Sequence, residues 1–335
     1  MNAKSLYFTA PRQVSVRPTP LPPLGEGQAL VESLCSAISP GSEMLVYRGQ
    51  FPQGLPDARD ALSSDLRYPL AYGYAVVGRV VGLGKNARRK WLDRLVFAFR
   101  PHASHFVASL NDLLPLPDGM DPKTACFLPN METAVNLAQD AAPLLGERAL
   151  VFGQGVVGLL TAALLREFPL ASLVTCDCHP LRREASLSLG VPAALDPDAP
   201  DFREAARRLL PGGADLALEL SGAPEALNDA LALTGFGGRI VIGSWYGEKR
   251  AALDLGGAFH RSRIKLLSSQ VSSIAPELSA RWDKARRFQV AWGALARIRP
   301  EKWITHRFPL EQAAEAYQLL DERPGEAIQV VFEYR

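Results

Sequence analysis

The stretch that decides the fold is GERALVFGQGVVG, Gly146 to Gly158. Ala149 to Phe152 is a short apolar run suited to a buried parallel strand, Gly153 to Gly158 spells GxGxxG, and Leu159 to Leu165 has the length and composition of a helix. In this order Gly153 permits a tight turn, Gly155 lets backbone approach a pyrophosphate, and Gly158 lets the helix pack close to the strand. Phosphates then sit at the positive N-terminus of the helix. Such a unit predicts a carboxylate at the end of the next strand, roughly 20 residues on. Leu173-Val174-Thr175-Cys176-Asp177 supplies it. A membrane span over Ala149 to Leu165 is the competing reading. The three glycines and Gln154 argue against it, and the run is slightly short for a bilayer.

The 335 residues leave room for two domains with separate cores. Lys plus Arg total 37 against 35 Asp plus Glu, a net charge of +2, and short basic clusters such as Arg88-Arg89-Lys90 and Arg286-Arg287 are scattered. Neither a nucleic-acid nor a membrane partner is expected from this balance; a small-molecule substrate is. The N-terminus lacks a signal-peptide pattern and only Cys35, Cys126, Cys176 and Cys178 occur, so a cytoplasmic, reducing location is expected.

From Met1 to about Asn130, short strand candidates alternate with Gly and Pro punctuation: Gln28 to Leu34, Ala75 to Gly82, Arg94 to Phe99 and His105 to Val107. Pro18 to Gly27 reads as a connector, and Gly49 to Tyr72 as a long loop, either a pocket wall or a surface excursion. Leu114 to Gly119 reads as the approach to a domain boundary, and from it to about Ser268 strands alternate with helices, with Ala149 to Phe152, Leu173 to Asp177, Ala214 to Glu219, Arg239 to Gly243 and Ile264 to Leu267 as parallel strands. That alternation predicts an α/β doubly wound sheet. Two amphipathic stretches, Pro276 to Arg297 and Leu310 to Glu322, precede a last strand, Ala327 to Phe332.

This order, with Gly78-x-x-x-Gly82-x-Gly84, Leu92-Asp93-Arg94-Leu95 and Gly153 to Gly158, resembles the medium-chain dehydrogenase/reductase superfamily over essentially the whole chain. The resemblance implies a GroES-like β-barrel catalytic domain at 1–130, to which 269–335 returns, and a Rossmann dinucleotide-binding domain at 131–268. Ile38-Ser39-Pro40-Gly41-Ser42-Glu43, Tyr72-Gly73-Tyr74-Ala75, Leu128 to Ala134, Phe259-His260-Arg261, Ser268 to Val271 and Ile304 to Phe308 look like the subgroup that includes the bacteriochlorophyllide-a hydroxyethyl dehydrogenases. Zinc alcohol dehydrogenases hold a cysteine, a Gly-His-Glu histidine and a third ligand where this chain has Ser39, Tyr74 and Pro129-Asn130. None of these is a good zinc ligand. Cys176-x-Cys178 flanks the ribose acid and is not expected to bind a metal; Cys126 is expected to be a buried apolar thiol.

The resemblance therefore implies a metal-free NAD(P)-dependent oxidoreductase acting on an alcohol or ketone. A reductase of activated C=C bonds and a non-catalytic nucleotide-binding protein remain as alternatives. NAD is the expected cofactor, with NADP possible, and no zinc. Gly153, Gly155, Val156, Val157 and Gly158 would receive the pyrophosphate. Asp177 and Arg182 would hold the ribose, although Arg182 and Arg183 could instead receive a 2′-phosphate. Thr133, Ser221, Ser244, Ser269 and Gln270 match other cofactor positions. Tyr74 would stabilise the substrate oxygen, with Ser42 as its proton partner, Glu43 orienting it and His102 as a further catalytic candidate. Ser39, Phe99 and Asn130 would line the substrate pocket. A homodimer joined through Arg239 to Gly243 and Trp245-Tyr246-Gly247 is expected, since exposed strand edges are usually covered.

Overall fold

The computed structural model describes residues 2–51 and 66–334. They divide into two compact units: one runs to Pro129 and resumes at Leu295, and the other is Asn130–Ala294. The units change between Pro129 and Asn130. The return comes at Leu295 and not at Ser269, so the segment after the last parallel strand stays with the second unit.

The first unit opens with an antiparallel pair that no periodicity announced, β1 (Asn2–Ala10) and β2 (Gln13–Pro20), so the expected connector at Pro18 is still strand. It continues through β3 (Gln28–Ala37), α1 (Ser42–Arg48), β4 (Val76–Leu83), β5 (Leu95–Ala98), β6 (His105–Ser109), β7 (Leu114–Pro115) and α2 (Pro122–Ala125). Most of the long loop expected from Gly49 to Tyr72 lies outside the described residues. β3 is the hub: Ala29 to Ser36 pairs with β4, Gln28 to Glu32 pairs with β6, and Cys35 to Ala37 pairs with the last strand of the chain.

The second unit is entered by α3 (Leu128–Ala141). There follow β8 (Arg148–Phe152), α4 (Val156–Leu165), β9 (Ser172–Cys176), α5 (Pro180–Ser188), β10 (Ala193–Leu195), α6 (Phe202–Leu209), β11 (Ala214–Glu219), α7 (Ala226–Leu233), β12 (Thr234–Ile242), β13 (Lys265–Ser268) and α8 (Lys284–Ile298). The six strands are parallel in the order β10-β9-β8-β11-β12-β13, which reverses direction between β8 and β11. A doubly wound sheet must bury both faces, and β8 shows it. Ala149 and Val151 join one core with Leu137 and Ala162, while Leu150 and Phe152 join another with Phe202 and Leu231. The amphipathic stretch expected from Pro276 is helical only from Lys284.

The chain then returns to the first unit through β14 (Ile304–Pro309), α9 (Ala313–Glu322) and β15 (Gln329–Glu333). β15 lies between β14 and β3, so the C-terminal strand completes the N-terminal sheet. The fold is thus an α/β chain with a Rossmann parallel sheet and a separate, mainly antiparallel sheet. Arg239 to Ile242, in the stretch expected to join a dimer, lies in β12 between β11 and β13; the outer strands of this sheet are β10 and β13. No helix among the described residues is long and apolar enough to cross a membrane.

A Cβ on Gly158 would lie 1.9 Å from the Gly153 carbonyl oxygen, so strand and helix meet at backbone distance. Gly158→Ala should therefore cost about 1–3 kcal/mol of stability, read as a lower urea midpoint. An unchanged midpoint would mean that this contact does not constrain the turn.

Candidate active site

In the second unit Gly153 has φ +86, and a Cβ there would meet the Ser221 Cα at 2.6 Å. Gly155 caps α4 without a side-chain bond, and a Cβ on it would meet nothing within 4 Å. The first-turn amides of α4 are thus open to an anion, as a pyrophosphate needs. Asp177 follows β9 and is 6% exposed. Its Oδ2 accepts the Gln154 N–H at 2.7 Å and its Oδ1 the His179 N–H at 2.8 Å, so the carboxylate also fastens the glycine turn to the second strand. Arg182 Nη1 stands 3.8 Å from Asp177. Arg183 points elsewhere: its Nη1 donates to the Asp177 and Cys178 carbonyls at 2.8 and 2.9 Å and pairs with Asp196 at 3.0 Å.

Four of the expected cofactor side chains are committed to the chain itself. Ser221 Oγ donates to the buried Glu219 carboxylate, and Ser244 Oγ accepts the Gly222 N–H at 3.0 Å. Ser269 Oγ donates to Asp140 at 2.6 Å, and Gln270 folds onto Ser272. At these positions the backbone, and not the side chain, is what remains to meet a ligand. Glu219 also accepts the Tyr246 hydroxyl at 2.5 Å; burial first and the Glu219 charge second push that phenol far above its usual range. Val156 is buried, while Val157 on α4 and Thr133 on α3 are half-buried.

In the first unit the turn before α1 and the residues before β4 bring three hydroxyls together. Tyr74 OH donates to Ser39 Oγ at 2.6 Å, Ser42 Oγ lies 2.7 Å from the same phenol, and the two serine oxygens are 3.1 Å apart. Tyr74 is half-buried. Burial chiefly raises its pKa to about 12, the two serines oppose this, and the Glu43 charge adds to it. Glu43 does not touch Tyr74. Its Oε1 accepts the Ser39 N–H at 2.8 Å, and its Oε2 accepts the Tyr317 hydroxyl at 2.5 Å and faces His102 Nε2 at 2.9 Å. Glu43 therefore reaches the phenol by its charge and by holding Ser39, without a hydrogen bond of its own to it.

His102, expected as a catalytic candidate, is wholly buried, and both ring nitrogens are engaged, Nδ1 by Ser36 Oγ at 2.7 Å. It cannot meet a substrate; it supports Glu43. Gly73, at φ +117, makes room for it, since a Cβ there would lie 2.6 Å from the imidazole. Ser36 Oγ continues to Tyr334 OH at 2.8 Å. Ser36, Tyr317 and Tyr334 were missed because no local motif marks them. The expected pocket residue Phe99 is 43% exposed and packs edge-on against Phe97, with ring centroids 5.0 Å apart. Asn130 is buried on α3 and belongs to the other unit.

The donor set of this cluster does not suit zinc, which takes thiolate, imidazole or carboxylate. The only imidazole has no free nitrogen, the only carboxylate is occupied by three donors, and what remains is hydroxyl. Among the described residues the one group of three potential metal ligands is Asp177, Cys178 and His179. These are consecutive residues, and both Asp177 oxygens already accept backbone N–H groups. Cys176 is buried beside them, and burial pushes its thiol well up. Cys126 is likewise a buried thiol, 3.1 Å from the Cys35 sulfur.

Residues 156–289 match the family model described as zinc-binding dehydrogenase. The L-galactonate-5-dehydrogenase of Escherichia coli K12 is 25% identical over 93% of this chain and 94% of its own length. An E. coli alcohol dehydrogenase complexed with NADH superposes at TM-score 0.80 and 18% identity, covering 99% of both chains. A Sinorhizobium meliloti protein described as a zinc-binding dehydrogenase and bound to NADP superposes at TM-score 0.78 and 18% identity, again over 99% of both. These similarities do not single out a zinc-free subgroup. Over residues 156–289 the chain is thus similar in sequence to zinc-binding dehydrogenases, and its fold is that of the solved dehydrogenase structures.

Proposed function

We propose that the chain is an NAD(P)-dependent oxidoreductase that passes hydride between a nicotinamide and an alcohol or ketone, and that it does so with hydroxyl groups in place of a catalytic metal. The glycine turn, the open first turn of α4 and Asp177 support the cofactor. One observation carries the metal-free part: Ser39 and Tyr74, which stand where the resemblance puts zinc ligands, are hydrogen-bonded to one another and to Ser42.

The nicotinamide supplies or accepts the hydride. The chain has to place a donor at the substrate oxygen, where negative charge grows during reduction. Tyr74 suits this because its raised pKa, about 12, keeps the proton on the phenol at neutral pH. Ser39 and Ser42 lie within hydrogen-bond reach, so as Tyr74 gives its proton to the substrate oxygen a serine can pass one on to the phenolate while taking one up from bulk water, leaving every hydroxyl protonated. Glu43 takes the Ser39 N–H, and His102 and Tyr317 hold Glu43 from behind; together they fix the serine that orients the phenol. The cofactor is NAD in this reading, since Asp177 is an anion at the ribose position and disfavours a 2′-phosphate.

Two outcomes test the reading. A difference titration of wild type against Tyr74→Phe, followed at 295 nm, should show the Tyr74 phenolate only as pH approaches about 12, whereas a midpoint at the ordinary 10.0 would put the hydroxyl in water. The sign follows from linkage: the folded pKa lies above the unfolded one, so this group's contribution to stability is complete below pH 10.0 and is lost as pH rises through about 12. Kinetically, Tyr74→Phe should lower kcat by on the order of 100-fold, about 3 kcal/mol of barrier, with cofactor affinity unchanged. A variant that keeps more than about half the wild-type kcat, with hydride transfer rate-limiting, would reduce Tyr74 to a wall residue, since half corresponds to only about 0.4 kcal/mol.

A further inference from the structure

Arg287 on α8 heads the large, fully buried side chains of the described residues, at 0% exposure. A buried guanidinium needs acceptors for all five N–H groups, and here each has one. Nε and Nη2 donate to Glu132 Oε1 at 3.1 and 2.9 Å, Nη1 donates to Asn136 Oδ1 at 2.5 Å and to the Ser273 carbonyl at 3.1 Å, and Nη2 also donates to the Val271 carbonyl. Lys284, one turn earlier, repeats the pattern from the surface: its Nζ donates to Glu132 at 2.6 Å and to the Val271 carbonyl at 2.9 Å. The acceptors lie on two segments, α3 and the main chain that leaves the carboxyl end of β13. That main chain is held a third time where Ser269 bonds Asp140 and Asn136 of α3.

The place of this clamp in the sheet gives it a function. Doubly wound sheets bind ligands outside the carboxyl ends of their strands, a dinucleotide lying across the switch point with one nucleotide over each half. Asp177 at the end of β9 marks one half for the adenosine ribose; β11, β12 and β13 make the other half. The segment leaving β13 thus stands on the nicotinamide side. Its Ser269 and Gln270 side chains are used internally, which leaves main-chain groups as what it can offer. Main chain is a selective partner only when its path is fixed, and Arg287 fixes it by taking two of its carbonyls.

We propose that Arg287 is a positioning residue for the nicotinamide half of the cofactor: braced by Glu132 and Asn136, it sets the course of Val271 to Ser273 beside that nucleotide. The proposal rests on the coenzyme reading above. A lysine keeps the charge but cannot span acceptors on two segments with a fork. Binding of NADH and of AMP, which carries only the adenosine half, is measured by fluorescence and calorimetry for wild type, Arg287→Lys and Lys284→Met. Arg287→Lys should weaken NADH about 10-fold or more and leave AMP within about 2-fold, and Lys284→Met should show a smaller loss of the same kind. If Arg287→Lys does not fold, as judged by circular dichroism, Lys284→Met decides, because its ammonium is at the surface. Unchanged NADH affinity in the folded variants, or NADH and AMP falling together, overturns the proposal as a mere loss of structure. Wild-type protein that binds neither ligand overturns the coenzyme reading itself and this proposal with it.

Discussion

A carboxylate sealed from solvent must find donors inside the protein, and in the first unit that requirement falls on Glu43. Its two oxygens draw in the Ser39 N–H from the turn before α1, the Tyr317 hydroxyl from α9, and His102 from the loop between β5 and β6. Removing one hydrogen-bond partner from such a buried set typically costs about 1–3 kcal/mol, because the acceptor it leaves is sealed from water. The segments that carry these partners are thereby held in register around one point. The hydroxyl triangle of Ser39, Ser42 and Tyr74 is a consequence: with Ser39 fixed by its own amide, its side chain meets the phenol, and Tyr74 meets Ser42.

The second unit solves a similar problem twice. Asp177 satisfies its charge with backbone N–H groups of the glycine turn and of its own turn, and Arg287 satisfies its five donors with α3 and the segment after β13. In both places a buried charge fastens a loop at the carboxyl ends of the strands. This is why the chain returns to the first unit only at Leu295: Ser269 to Ser273 and the first turns of α8 are tied to α3 by buried polar bonds.

What was legible in the sequence is what is local. The glycines, the apolar β8 and the acid after β9 fall within one βαβ unit, and each does a job that only its residue type can do. The hydroxyl pair Ser42 and Tyr74 was legible by position, since two short phrases carry it. The rest of the cluster was not, because Tyr317 and Tyr334 reach Glu43 and Ser36 across 274 and 298 residues. Arg287 was read only as half of one of several scattered basic clusters. Its neighbour Arg286 is indeed at the surface, stacked 4.1 Å over the Trp282 ring. A signal was present all the same: Arg287 lies at helical spacing from Ala291, Ala294 and Leu295, each 0% exposed, and a cation on such an apolar stripe has to have partners. The committed side chains of Ser221, Ser244, Ser269 and Gln270 were also illegible, because a serine near a cofactor and a serine bonded to its own fold look alike in sequence.

In the proposed mechanism hydroxyl groups of this chain take the part that a catalytic metal would otherwise play. The most direct measurement is the rate of NADH-dependent ketone reduction, on a ketone that the purified protein turns over, before and after exhaustive dialysis against a zinc chelator, with the metal content determined on the same samples. The account predicts an unchanged rate in protein shown to be free of zinc. Loss of the rate on dialysis, restored by added Zn2+, would contradict it.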